Sequence, residues 1–434
     1  MSLALRLWHG VARAIAPALP LYLQLRVRRG KEVAERLDER RGEGATRRPG
    51  PLLWMHAASV GETLSILPLL PRLLDARPAL HILVTTGTVT AATLLAQRLP
   101  EDIAARVQHR FVPLDVPAWV ARFLDGWRPT AAIFVESEVW PNLLAAAAVR
   151  RIPVALVNAR ISPRSAGRWA RLPALARETL GRFSLILAQS EADAARFTAL
   201  GAPHAVATGN LKFAALPLPA DANALASLRA MTEGRPVLLA ASTHPGEEAI
   251  VAQAHAILRD RFPALLTILV PRHPERGAAI AESLGLETRR GDGGLPGREA
   301  GLYLADTLGE LGLFYRLADV ALIGGSLVPH GGQNPLEPAR LGCPVIAGPH
   351  MGNFTAITGL LEDVQGIRRC EATPAALAEA VGDVLSQPET MRAMADAAAR
   401  VTAGQAELPD RVVASLLPLL DGSGANEGRV TVKT

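Results

Sequence analysis

Asp319-Val320-Ala321-Leu322-Ile323-Gly324-Gly325-Ser326 and, five residues on, Gly331-Gly332-Gln333-Asn334-Pro335-Leu336-Glu337-Pro338 read together as strand, glycine-rich turn and helix. The first run is short and apolar and ends in small residues, as a buried strand does. In the second, two glycines allow positive φ and close backbone approach, Asn334 is a good N-cap, and Pro335 suits the first helical position, where a missing N–H costs nothing. The pattern predicts a helix starting there. Its free N–H groups and the positive end of its dipole make an anion site, and Glu337, one turn in, is placed to accept hydrogen bonds from ribose hydroxyls. The combination suits a nucleotide, because ligands of open α/β sheets bind at the carboxyl ends of strands. The plainer reading is an ordinary loop before a capped helix.

Outward from this stretch the same rhythm continues. Val237–Ala241, Leu265–Val270, Gly301–Leu304 and Pro344–Ile346 read as further buried strands, with helices from Pro245, Pro274, Gly309 and Pro374. Leu52–Met55, Leu80–Thr85, Ala131–Val135, Val154–Val157 and Leu185–Ala188 form an earlier set, separated by helical stretches such as Ser65–Leu74, Thr90–Arg98 and Asn142–Arg150. This is the βαβ pattern of doubly wound, Rossmann-like domains. The expected organisation is an N-terminal segment 1–48, a domain 49–215, a linker 216–233 marked by Pro217, Pro219 and Asp221, a second domain 234–420, and a loose polar tail 421–434. A cleft between the two sheet edges is the expected ligand site.

The length of 434 residues agrees with two domains. Apolar residues make up 49% and charged residues 20%, which excludes a largely disordered chain. Cys343 and Cys370 are the only cysteines, so there is no disulfide framework and no cysteine-rich metal site, and a reducing compartment fits best. The net charge of +5 is local. Residues 1–48 hold eleven Lys or Arg against five acids, +6, leaving about −1 for the rest. No basic stripe with interleaved aromatics runs through the chain, which argues against nucleic acid as a partner. In the N-terminal segment the longest charge-free run, Ala14 to Leu25, has 12 residues. That is short of the roughly 18 to 20 needed to cross a bilayer. An interfacial helix or short anchor is expected, with Arg26, Arg28, Arg29 and Lys31 meeting anionic headgroups on the cytoplasmic side; the alternative is a helix packed on the first domain.

Polar clusters follow several strands. Glu62, in His56-Ala57-Ala58-Ser59-Val60-Gly61-Glu62, stands at a helix N-terminus, where a carboxylate can act as general base or merely cap its own helix. Glu136 and Glu138, in Glu136-Ser137-Glu138-Val139-Trp140-Pro141-Asn142, suggest ligand contact, or else ion pairs with Arg160 or Arg164. Thr85-Thr86-Gly87-Thr88 closes a strand in the same way. In the second half Arg272 can give a phosphate two parallel hydrogen bonds, and Asp306-Thr307-Leu308-Gly309-Glu310 can hold a base through its backbone. Lys212 lies near the domain junction, where a cation can meet developing negative charge.

These segments, in this order, resemble the Kdo transferases, glycosyltransferases that move 3-deoxy-D-manno-octulosonic acid (Kdo) from CMP-Kdo to a lipid A precursor. The resemblance runs from the N-terminal apolar segment to about residue 360. It is carried by SVGE (59–62), ESEVWPN (136–142), NARIS (158–162), STHPGEE (242–248), PRHPER (271–276), DTLGEL (306–311) and GGQNPLEP (331–338). It implies a GT-B architecture, two Rossmann-like domains facing a cleft. By the resemblance Glu62 is the catalytic base and Glu136 and Lys212 support the transition state. Pro271, Arg272, Leu308, Gly309, Glu310, Asn334, Pro335, Leu336 and Glu337 hold CMP. It implies an inverting displacement without a metal ion or cofactor, with CMP-Kdo and lipid IVA as substrates, at the cytoplasmic face of the inner membrane. The chain departs from the family at Gln333, where many members carry His, at Leu308, where many carry Met, and at Gly87, where Met is common. The competing expectations are a GT-B transferase or epimerase using a UDP-sugar, and a non-catalytic nucleotide-binding regulator for which Glu62 would be dispensable.

Overall fold

The computed structural model describes residues 2–404 and 407–421. The chain divides into two compact units, the second being Leu216–Gly404 and the first comprising the residues up to Ala215 together with the C-terminal helix Leu408–Leu420.

The first unit is built on a seven-stranded parallel sheet: β1 (Leu52–Ala57), β2 (His81–Thr86), β3 (Val107–Phe111), β4 (Ala131–Val135), β5 (Val154–Ala159), β6 (Leu185–Ala188) and β7 (Ala205–Ala207), in the order β3-β2-β1-β4-β5-β6-β7. β1, β4, β5 and β6 are buried along their whole length, as strands covered on both faces must be, which is why they read as unbroken apolar runs. Alternate residues feed two cores. Leu53 and Met55 point to one face, with Leu69, Leu73, Val412 and Leu416, and Trp54 points to the other, against Phe123 and Phe134. Leu408, Val412, Val413, Leu416 and Leu419 therefore complete the first core, so the C-terminal helix expected in the second domain belongs to the first. The tail expected from residue 421 lies, beyond Asp421, outside the described residues.

The second unit has a six-stranded parallel sheet: β8 (Val237–Thr243), β9 (Leu266–Pro271), β10 (Leu302–Leu304), β11 (Val320–Ile323), β12 (Val345–Ala347) and β13 (Ile367–Arg369), ordered β10-β9-β8-β11-β12-β13. Both orders place the first strand beside the fourth, so each sheet has a topological switch point, at β1/β4 and at β8/β11. There the loops diverge and leave a crevice at the carboxyl edge. The strands that sequence reading missed are β3, β7 and β13, all short edge or near-edge strands.

The N-terminal segment forms the helix Leu3–Ile15, a 3-10 turn Ala16–Ala18 and the helix Leu19–Arg28. The first helix is tied to the first unit: the Ser2 N–H donates to Glu178 at 2.6 Å and Trp8 Nε1 to Asp115 at 3.1 Å, while Leu5 and Ala12 are buried. Leu3, Leu7, Val11 and Ile15 nonetheless stay exposed, and so do Leu21 and Tyr22. No helix among the described residues is long and apolar enough to cross a membrane. The stretch around Arg40, at the end of the N-terminal segment, is folded. Arg40 is buried and pairs with Glu32 at 3.0 Å, and its guanidinium also donates to the carbonyls of Val112 and Gly87.

Candidate active site

In the first unit the loops after β1 and β4 carry the candidate acid–base residues to one carboxyl edge. Ser59 caps the helix Val60–Ile66, and Glu62 sits in its first turn. The Glu62 carboxylate accepts from the Ala58 N–H at 2.7 Å and from the Ser59 hydroxyl at 2.9 Å. The capping role and a role in chemistry thus share one side chain. Burial pushes its carboxyl up to about 7, helped by the neighbouring charges of Glu138 and Glu136 and opposed by the two hydrogen bonds. A carboxylate at that value is matched to taking a proton at neutral pH.

Glu136 does not continue β4. Its φ of +56° places it in the left-handed region, which non-glycine residues occupy at a cost. That turn directs its carboxylate onto Lys212, 2.6 Å away, so Lys212 and not Arg160 or Arg164 is its ion-pair partner. Lys212 is itself placed by asparagines. Asn158, also at positive φ (+53°), accepts from the Leu211 N–H at 2.9 Å, and Asn210 accepts from the Lys212 N–H at 3.0 Å. The lysine then runs past Gly61, where an added Cβ would lie 3.9 Å from Nζ, so its ammonium lies beside the helix turn that carries Glu62.

Glu138 turns the other way. It accepts from Trp140 Nε1 at 2.5 Å and lies 3.4 Å from Nε2 of the fully buried His56. Nδ1 of His56 lies 3.1 Å from the Thr85 carbonyl and 3.0 Å from the Thr85 hydroxyl, which fix the ring. Burial raises the Glu138 carboxyl, but the histidine and tryptophan outweigh it and hold it below the usual carboxylate range. A charged Glu138 beside a basic Glu62 is the pattern by which neighbouring carboxylates divide their roles. His56 and Asn158 were not singled out from sequence. Their signals were a histidine inside an apolar strand end and an asparagine closing β5.

In the second unit the crevice at β8/β11 is organised by Glu247. Its fully buried carboxylate accepts from the N–H groups of His244 (2.8 Å), Gly325 (2.6 Å) and Leu327 (2.9 Å), binding the loop after β8 to the loop after β11. Close approach fixes Gly324, where a Cβ would meet the Ser242 carbonyl at 2.1 Å, and Ser242 itself has a φ of +58°. Around this frame the sequence-predicted nucleotide residues share one carboxyl edge: Pro271 at the end of β9 and Arg272 just after it, Leu308, Gly309 and Glu310 after β10, and Asn334 to Glu337 after β11. The Arg272 side chain is half-buried and makes no hydrogen bond or ion pair to another described residue, whereas Arg276 is spent on Glu248 at 2.9 and 3.1 Å. Glu310 is held by Arg290, which depresses its carboxyl, and Leu308 is exposed.

The glycine-rich turn differs from the expectation in one respect. Gly331 and Gly332 do take positive φ (+103° and +77°), and Asn334 Oδ1 does accept from the Leu336 N–H at 3.1 Å. The helix that follows, however, is only Leu336–Arg340, with Pro335 at its cap. Gly342 at positive φ ends it one turn later, and the N–H groups of Gly332 and Gln333 already bond the carbonyls of Gly325 and Gly324. So short a helix has little dipole, and the charge available to an anion comes from Arg272, with histidines nearby. His244 stacks on His330 with ring centroids 3.7 Å apart, and Gln333 Nε2 lies 2.9 Å from His244 Nε2. The imidazole missing at 333 therefore has two imidazoles beside it. Burial and then the other cations lower His244 to about 4. At Gly87 the space for a side chain is taken by Ala58, whose carbonyl would lie 2.9 Å from a Cβ. Among the described residues no cluster of three or more His, Cys, Asp or Glu is arranged to hold a metal ion.

A sequence model of the family described as 3-deoxy-D-manno-octulosonic-acid transferase (kdotransferase) matches residues 35–215. The 3-deoxy-D-manno-octulosonic acid transferase of Haemophilus influenzae is 37% identical over 396 residues, covering 89% of this chain and 92% of that protein. A solved structure of the C-terminal CMP-Kdo binding domain of WaaA from Acinetobacter baumannii is 34% identical, covering 41% of this chain and 96% of that one, with a TM-score of 0.39. The UDP-GlcNAc 2-epimerase from Neisseria meningitidis bound to UDP-GlcNAc is 14% identical, with a TM-score of 0.58 over 85% of this chain and 99% of that one, and shares the fold. With two Rossmann-like units of the GT-B kind and a relative this similar over nearly the whole length, the chain belongs to the 3-deoxy-D-manno-octulosonic acid transferase family.

Proposed function

We propose that this glycosyltransferase moves Kdo from CMP-Kdo to the lipid A precursor lipid IVA, inverting the anomeric carbon, at the cytoplasmic face of the inner membrane. The observation that carries the mechanism is a buried glutamate held near neutrality at a strand-end crevice, flanked by a carboxylate–lysine pair. Glu62 takes the proton of the acceptor hydroxyl as its oxygen attacks the anomeric carbon. The bond from that carbon to the phosphate oxygen breaks, and CMP leaves with the electron pair. The carbon gains oxocarbenium character in between, and Lys212, oriented by Glu136, offers a fixed charge to the changing electrostatics of the transition state. Arg272 meets the phosphate of the departing CMP, with Leu308, Gly309, Glu310 and the Asn334–Glu337 turn around the nucleoside. No metal ion takes part in these steps. The exposed apolar side of Leu3–Ile15 and the cluster Arg26, Arg28, Arg29, Lys31 support a location on a surface of anionic lipid.

The test is transfer itself. Purified protein with CMP-Kdo generated in situ, lipid IVA and a chelator should yield lipid heavier by whole Kdo units in the mass spectrum. Unmodified lipid, together with tighter binding of UDP than of CMP, would sink this reading in favour of a UDP-sugar enzyme.

A further inference from the structure

A groove of about 540 Å³ runs along the edge strand β3 and the helix Val89–Arg98 in the first unit, apart from the carboxylate cluster. Its walls are mostly apolar, Val89, Leu95 and Leu99, then Val107 and Phe111 of β3, with Val33 crossing the edge, and Arg36, Thr93, His109 and Arg110 interrupt them. Val107, His109 and Phe111 share one face of the strand, so the two apolar residues flank the imidazole. The direction of the groove is set by register. Phe111 pairs with Thr86 at the carboxyl edge of the sheet, and Val89 opens its helix at the same edge. Val107 and Leu99 mark the far end, about 15 Å away at the rise of an α-helix.

The near end is connected to the proposed base through a short series of hydrogen bonds. His109 Nε2 is 3.0 Å from the Thr86 hydroxyl, the Gly87 N–H donates to the Ala58 carbonyl at 3.0 Å, and the Ala58 N–H donates to Glu62 at 2.7 Å. The same end is positively charged. The guanidinium groups of Arg36 and Arg40 lie 4.4 and 4.7 Å from the Phe111 ring centre. Arg26 and Arg40 share Glu32, and Arg36 and Arg110 share Glu39, so four cations face two carboxylates, an excess of two positive charges. Exposed Arg28, Arg29 and Lys31 precede Val33 in the chain. An apolar trough with a cationic mouth opening at a catalytic edge matches a molecule with an acyl chain, an anionic head and a sugar hydroxyl, in that order.

We propose that this groove holds one acyl chain of the acceptor glycolipid, with the arginine-rich mouth meeting the acceptor's phosphate and presenting its sugar hydroxyl toward Glu62. The inference rests on the proposed transfer to a lipid acceptor and adds to it the place where the lipid is measured. Phosphatidylglycerol has the chain and the phosphate but no sugar hydroxyl to deliver, so a mouth connected to Glu62 favours the acceptor.

Ala96 lines the groove from the exposed side of its helix, where a larger side chain can be carried without disturbing the core. In Ala96→Trp the ratio of kcat/KM for acylated over fully deacylated acceptor should fall at least tenfold. An unchanged ratio in a folded variant that still binds CMP would overturn the proposal. A second readout does not depend on transfer: lysophosphatidic acid with a photoactivatable diazirine in its chain should label peptides spanning 89–99 and 107–111, and excess lipid IVA should suppress that label. Labelling confined to residues 3–28, or suppression by phosphatidylglycerol as effective as that by lipid IVA, would contradict it. Groove labelling suppressed by lipid IVA in a protein that transfers nothing would keep the acyl site and sink the transferase reading, so the two claims fail separately.

Discussion

Replacing Glu62 by Gln should abolish transfer and yet make the protein more stable in mild alkali. Burial and the charges of Glu138 and Glu136 raise the Glu62 carboxyl from its ordinary 4.5 to about 7, a difference of about 2.5 units. At 1.36 kcal/mol per unit, ionising this group in the fold costs about 3 kcal/mol more than ionising it in the unfolded chain. The sign follows from proton uptake. Below pH 4.5 the group is protonated in both states and the fold bears no penalty; as pH rises from 4.5 through 7 stability is lost, and above 7 the whole difference is lost. Glutamine removes the charge but accepts less well from the Ala58 N–H and the Ser59 hydroxyl, which takes back about 1 kcal/mol. A net gain of about 1 to 2 kcal/mol at pH 8, shrinking toward zero or reversing at pH 5, is expected from urea unfolding of wild type and variant at both values. A variant destabilised equally at both pH values would refute the claim that Glu62 is kept as a strained base.

Three further outcomes follow from the same geometry. Lys212→Ala removes the ion-pair partner of Glu136, 2.6 Å away, and should lower kcat about a hundredfold while the KM for CMP-Kdo moves little, as steady-state kinetics would record. Arg272→Ala should weaken CMP binding about 10- to 100-fold by calorimetry, the worth of roughly 1.5 to 3 kcal/mol for hydrogen bonds to a charged group, with Arg272→Lys recovering part of it. Glu138→Gln takes away the second-largest cause of the raised Glu62 value, so the acid limb of the pH–rate profile, expected near 7 in the wild type, should move to lower pH.

How much of this was legible in the chain depended on whether a feature was local. The central strands announced themselves because both faces are buried, so Ala131–Val135 and Leu185–Ala188 are apolar at every position. β3 did not, because an edge strand is covered on one face by helix and on its edge by a few side chains, and Gln108, His109 and Arg110 read as loop. The same physics hid β13, whose Arg368 and Arg369 reach out to Asp383 and Glu362. Ser59 and Glu62 form a cap that the S-x-x-E spacing gives away, whereas the Glu136–Lys212 pair joins residues 76 positions apart and only the fold brings them together. The cap signals mark where the helix after Pro335 begins but not how far it runs, and Gly342 at positive φ follows it after little more than one turn. The C-terminal helix was assigned to the wrong unit for a related reason: its apolar stripe says that it must be buried, but not against which core.

The most direct test of the account compares wild type with Glu62→Ala in a single turnover at saturating CMP-Kdo and lipid IVA, beside calorimetric titration of both proteins with CMP. The account predicts that CMP binds both alike and that Kdo appears on the lipid only with the wild type, the variant being slower by at least a thousandfold. Transfer by the variant at the wild-type rate would contradict it, because the proton of the acceptor hydroxyl would then be leaving by a route that does not include Glu62.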